Sequence, residues 1–322
     1  MVLYIILFIV SVFILSWLSS RLVSTLVDIA KYLQWREFII AFFVMAFAAS
    51  LPNLFVDVTA ALRGMPEIAF GDIVGGNLVD LTLVMAIAVL FGKKYLPAES
   101  EMVQKSALFT AGFAILPLLL IVDGNLNRID GLILIGGFIL YTIWLFSKED
   151  RFKKVYRGRP ANPTKSFVNF LKNMVKIILF LLLLLIASQF VIQSASLFSQ
   201  KLGISLSLVG ILIVGLGNCL PEAYFSIISA KRGENWLILG DLMGCVIVCA
   251  SMVLGVIALI SPFEILDFSP FLVARIFMII AALLFIVFIR TGRKVTKKEG
   301  LFFLATYIVF LLVEIFLPQI FK

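Results

Sequence analysis

Apolar stretches of roughly 20 residues recur from one end of the chain to the other, each long enough to cross about 30 Å of hydrocarbon as a helix. Composition agrees: 62% of the 322 residues are hydrophobic and 14% charged, with a mean hydropathy of +1.13, where soluble domains hold about 45–50% apolar residues. A water-soluble fold is excluded. The first apolar run, Val2 to Leu18, has no basic leader segment and no small-residue cleavage site, so it is expected to be a membrane helix, not a signal peptide.

Ten spans are predicted, near residues 2–23, 37–62, 66–92, 106–122, 130–147, 172–199, 205–229, 236–260, 270–290 and 300–320. With the N-terminus outside, all but five of the 27 basic residues fall on the cytoplasmic side; Arg63, Arg128, Lys201, Arg275 and Lys322 are the exceptions. The positive-inside rule therefore predicts both termini outside, in an integral protein of the cell membrane. The net charge of +8 is topological, and no nucleic-acid partner is expected. The longest hydrophilic stretch carries Lys153-Lys154 and Arg157-Gly158-Arg159-Pro160. It divides the chain into a first five-helix half (1–147), a basic cytoplasmic linker (148–171) that could also attract anionic lipid, and a second half (172–322).

An internal repeat runs through both halves. At a constant offset of 169, residues 41–91 match 210–260 at Leu51/Leu220, Pro52/Pro221, Ala61/Ala230, Arg63/Arg232, Gly64/Gly233, Gly71/Gly240, Asp72/Asp241, Gly75/Gly244, Val79/Val248 and Val84/Val253. Most of these are Pro, Gly, Arg or Asp, which lipid-facing composition does not supply. Each half has an odd number of helices, so the second copy enters the membrane upside down. Inverted repeats of this kind mark transporters whose substrate site lies near the midplane, between the copies. The expected fold is therefore an all-α polytopic membrane protein of two inverted five-helix repeats.

The polar residues inside the spans nominate the site. Pro52 and Pro221, in Ser50-Leu51-Pro52-Asn53 and Cys219-Leu220-Pro221-Glu222, each remove a helix hydrogen bond and free a carbonyl. Irregular backbone at that depth is tolerated where it lines a cavity or is buried in protein. Glu222 is costly in the bilayer unless a partner or bound cation offsets it, which makes it a functional candidate. On the next spans, helical spacing puts Asp72, Gly76 and Asp80 on one face, and Asp241, Cys245 and Cys249 on another. Asp80 is the deeper carboxylate. Asp72 and Asp241, nearer the helix starts, could equally be caps or dipole partners. Asp57, one turn after Asn53, belongs to an access path or pairs with a polar neighbour. Histidine is absent, so carboxylates carry any titratable chemistry. The three cysteines lie inside predicted helices, where no disulfide is expected; they are either small fillers at helix contacts or ligands for soft metals.

At the two proline-centred segments the chain resembles the cation/calcium antiporter superfamily, the sodium/calcium exchangers in particular. That family carries a Ser-Leu-Pro-Glu-like segment on one helix of each repeat and Gly-Ser-Asn-x-x-Asn or Asp on the next. The resemblance implies a central calcium site flanked by sodium sites, with the first and sixth helices sliding over the core. Carried over by position, the two central glutamates fall on Asn53 and Glu222, and the paired Asn/Asp positions on Asp80 and Cys249. The hydroxyl ligands before Leu-Pro fall on Ser50 and Cys219, and the Gly-Ser serines on Gly76 and Cys245. Asn77 and Asn218 complete the expected cation-binding set. Asp80 and Glu222 supply charge for one divalent cation, and hard oxygens suit calcium. The missing hydroxyls remove sodium ligands. The implied function is exchange of Ca2+ for Na+ by alternating access, with ions as cargo and no cofactor. Alternatives are a proton or potassium counter-ion, a soft divalent metal as cargo, a passive channel and, remotely, an intramembrane aspartyl protease using Asp72 and Asp241.

Overall fold

A computed structural model describes residues 2–32, 45–92, 94–147, 163–233, 235–265 and 269–320. Among them, nine helices are long and apolar enough to cross a membrane, and they coincide with the first and the third to tenth predicted spans. The second predicted span is described from Met45 onward, as a short helix Met45–Ala49, a turn at Ser50 and the helix Leu51–Leu62. Most of the basic linker, 148–162, lies outside the described residues.

Burial separates the spans into centre and rim. In the third (Pro66–Phe91) and eighth (Leu237–Ile260) spans, 83% and 78% of the apolar window is buried, against 28% in the first, fifth, sixth and tenth. The two buried spans are repeat mates, and small residues let other helices close around them. At Gly75, a Cβ would stand 2.2 Å from the carbonyl oxygen of Ile211; at Gly215, one would stand 2.7 Å from the amide nitrogen of Gly76. The third and seventh spans therefore touch backbone to backbone, and only glycine fits. The first and sixth spans pack against each other along the rim, with Phe8 edge-on to Phe198 at 5.6 Å.

The inversion is visible at both ends of the bundle. Leu96–Pro97, after the third span, pairs antiparallel with Lys294–Val295, after the ninth. At the opposite end Asn125–Leu126, after the fourth, pairs with Phe263–Glu264, after the eighth. Each two-residue ladder joins one half to the other, and the repeat exchanges the two ladders. Lys231 and Lys294 lie over the rings of Phe91 and Tyr95 (5.9 and 5.2 Å), placing these basic residues at the end of the first ladder. At the other end Arg275 donates to the carbonyls of Leu118 and Ile121 (3.4 and 3.2 Å), where the fourth span terminates. A cation there also suits the negative end of the helix dipole.

Candidate functional site

Two kinds of helix irregularity converge beside the Gly75–Gly215 contact. The first is a break before each proline. Ser50 separates two helical pieces in the second span, and Cys219, at φ −84° and ψ 0°, does so in the seventh. Because proline has no N–H, the carbonyls of Ala48 and Gly217 lose the donor a helix would give them. The second irregularity is a π-helical turn, at Asp80–Val84 in the third span and Val248–Val253 in the eighth. Such turns within α-helices are frequent at functional sites. The hydroxyls of Thr82 and Ser251 donate back to the carbonyls of Leu78 and Ile247. These residues are repeat mates that side-chain chemistry alone had not singled out; the shared offset was the available signal.

Around these irregularities the structure gathers Ser50, Asn53, Asp80, Glu222 and the three cysteines. The thiol of Cys245 donates to Glu222 Oε1 at 3.6 Å and lies 3.9 Å from Cys249 Sγ. The Ser50 hydroxyl is 3.5 Å from Cys245 Sγ and 2.9 Å from the carbonyl of Ala46. Asn53 Nδ2 donates to Cys249 Sγ at 3.5 Å. The thiol of Cys219 donates to the carbonyl of Gly76 at 3.3 Å, and the Asp80 carboxyl is a close neighbour of Cys219 and Cys245. All three thiols are free and buried.

A second group adjoins the first. Asn218, expected with the central ligands, donates to Asp72 Oδ2 at 2.6 Å, and Asp57 approaches Asp72 from the other arm of the helical hairpin closed at Gly64. Asp72 lies well inside a helix that begins at Pro66, with Met65 at its cap position, so it is not a cap. Asn77 is buried in the same helix.

Oxygen atoms without partners are concentrated in this region. Asn53 Oδ1, both oxygens of Asp57, Asp72 Oδ1, Asp80 Oδ1, Asn218 Oδ1 and Glu222 Oε2 are buried with no hydrogen-bond partner. Buried polar atoms are normally satisfied, and a buried charge is normally paired or bound to a metal. No described basic residue forms an ion pair with these carboxylates. Inward-facing, acceptor-only oxygens on several helices are what a cation requires.

A side cavity reaches this region. A cavity of about 220 Å³ is lined by Ser19, Ser20 and Ser24 of the first span together with Ala49, Pro221, Glu222, Phe225 and Asp241. It joins Glu222 to the first span, where Ser20 and Ser24 are exposed. Asp241 thus sits on the access route. The first-span serines were not foreseen, although their spacing already placed them along one stretch of a helix.

Inverted halves, broken helices at midspan and a side cavity reaching unpaired carboxylates define a secondary transporter. The chain belongs to the sodium/calcium exchanger protein family, whose model covers residues 3–147 and 172–316. Among its relatives are the putative antiporter CaxA of Alkalimonas amylolytica, 27% identical over 93% of this chain and 94% of that one, and the sodium/calcium exchanger MaX1 of Methanosarcina acetivorans, 23% identical over 92% and 93%. Solved structures of the sodium-calcium exchanger NCX_Mj superpose with a TM-score of 0.67 at 26% identity, covering 96% of this chain and 97% of theirs. They include crystals soaked with Na+ and Sr2+ or with Na+ and Ca2+. The family is one of transporters, so the protease reading of Asp72 and Asp241 is set aside.

Proposed function

We propose that this protein exchanges Ca2+ for Na+ by alternating access, at a site built by Asp80 and Glu222 with Ser50, Asn53, Asn77, Asn218, Cys219 and Cys249 around them. The observation that carries this reading is the cluster of buried, unpartnered carboxylate oxygens where the two repeats meet. Asp57, Asp72, Asp241, Gly76 and Cys245 form its margin, and Pro52 and Pro221 open the backbone. The halves 1–147 and 172–322 act as the two repeat units, joined by a cytoplasmic linker, with both termini outside the cell membrane.

In this mechanism Asp80 and Glu222 together balance one divalent cation, and the counter-ion competes for the same oxygens. An empty site leaves two uncompensated carboxylates in a medium where an isolated charge is costly. The empty carrier therefore crosses slowly, and transport is obligatory exchange. The cavity beside Ser19, Ser20 and Ser24 corresponds to the inward-facing state under the proposed orientation. MaX1 is named a sodium/calcium exchanger and NCX_Mj has been soaked with sodium, calcium and strontium, which supports these cargoes.

The test is reconstitution in liposomes, following radiolabelled calcium uptake under an outward sodium gradient and then an outward proton gradient, for the wild type, Glu222→Gln and Asp80→Asn. Sodium-driven uptake lost in both variants is the expected outcome. Uptake driven by protons alone would replace the counter-ion; no calcium flux under either gradient, with the protein folded, would remove calcium as cargo.

A further inference from the structure

Sulfur stands where oxygen would be expected in the second half of the site. The repeat mates of Ser50, Gly76 and Asp80 are Cys219, Cys245 and Cys249, so the first half contributes hard oxygens and the second contributes three thiols. These are not apolar fillers: each thiol meets a polar atom, of Gly76, Glu222 or Asn53. Their spacing is also informative. A tetrahedron with metal–sulfur bonds of about 2.3 Å and metal–oxygen bonds of about 2.1 Å has S–S and S–O edges of roughly 3.8 and 3.6 Å. Cys245 Sγ lies 3.9 Å from Cys249 Sγ and 3.6 Å from Glu222 Oε1.

We propose that this site takes thiophilic divalent cations of the zinc and cadmium class in preference to calcium, held by Cys245, Cys249 and Glu222 with Asp80 as the fourth ligand. This inference rests on the exchange site proposed above and names the cation class it favours. Two of the six edges of the tetrahedron, both at Cys245, are already formed. Among the described residues no three such side chains yet converge on one point, so the other four edges close as the ion is occluded, through movement of Cys249 and Asp80 toward Glu222. Unpartnered Asp80 Oδ1 is an oxygen available to the ion. Each thiol that binds gives up its proton; the Cys245 thiol already donates to Glu222 Oε1, so the protons pass to the two carboxyls, which remain oxygen ligands, and the two thiolates balance the divalent charge. Soft thiolates select such ions over calcium, which prefers oxygen.

Two measurements decide it. Purified protein is titrated with cadmium while the ultraviolet thiolate-to-cadmium charge-transfer absorption is recorded, and the reconstituted protein is assayed for inhibition of calcium uptake by cadmium, with strontium as the hard-ion comparison. The expected result is a saturable band in the wild type, absent in the Cys245→Ser/Cys249→Ser double variant. In the same variant, the cadmium-to-calcium preference shifts toward calcium by about tenfold or more. No band in the wild type, or a preference unmoved by the double substitution, would overturn the inference. The absorbance needs no transport, so it decides the thiol site even if the liposomes exchange nothing. Calcium exchange without a band defeats only the thiol site, whereas a band without exchange of either ion supports the thiol site and defeats the antiporter reading.

Discussion

Asp80 and Glu222 come from opposite halves of the chain, so the proposed divalent site needs both. Each of Glu222→Gln and Asp80→Asn is expected to weaken calcium binding by about one and a half to three and a half orders of magnitude, given roughly 2–5 kcal/mol for truncating one member of a buried charged contact. Calorimetric titration of the purified variants checks this independently of transport. Asp72 has a different role in the structure, as the acceptor for Asn218 at 2.6 Å. Asp72→Ala leaves that amide donor unsatisfied and should cost about 1–3 kcal/mol, seen as a lower melting temperature in detergent. Asp72→Asn keeps an acceptor and should cost less; equal losses would mean that the bond does not stabilise the fold. The candidates themselves were legible in the sequence, because prolines and carboxylates are rare inside apolar spans and Pro52/Pro221 and Asp72/Asp241 recur at one offset. The link of Asn218 to Asp72 was not, because it depends on how the third and seventh spans are rotated against each other.

At the scale of the element, close approach and local over-winding decide where those side chains point. Gly75→Ala places a methyl group 2.2 Å from the carbonyl oxygen of Ile211, so the third and seventh spans must separate. A loss of about 1–3 kcal/mol is expected, as for other overpacked contacts. Gly112→Ala, with open space around the new carbon, should leave the melting temperature unchanged or raised. If both substitutions behave alike, the backbone contact is not a determinant of stability. The glycines could be read as contact residues from the sequence, but the π turns at Asp80–Val84 and Val248–Val253 could not. Nothing in local propensity distinguishes a π turn from the α-helix on either side. It recurs at Gly210–Val214 in the less buried seventh span, and each such turn shifts the phase of the helix that continues beyond it.

For the whole molecule, inversion followed from counting helices, whereas the ladders tying the halves together at each end did not. Two-residue strands leave too short a pattern to read. Those ladders give a direct test of orientation. Glu264 and Lys294 are both exposed and belong to opposite ladders. With both termini outside, Glu264→Cys is expected to react with a membrane-impermeant maleimide on intact cells, and Lys294→Cys only after permeabilisation. The reverse pattern would invert the proposed topology. The π turns have a consequence of another kind. The same irregularity falls at the same repeat position in both halves, so the two turns stand as counterparts on either side of the site. Asp80 and Cys249 occupy one place in that shared turn, and there the two halves part in chemistry, one presenting oxygen and the other sulfur.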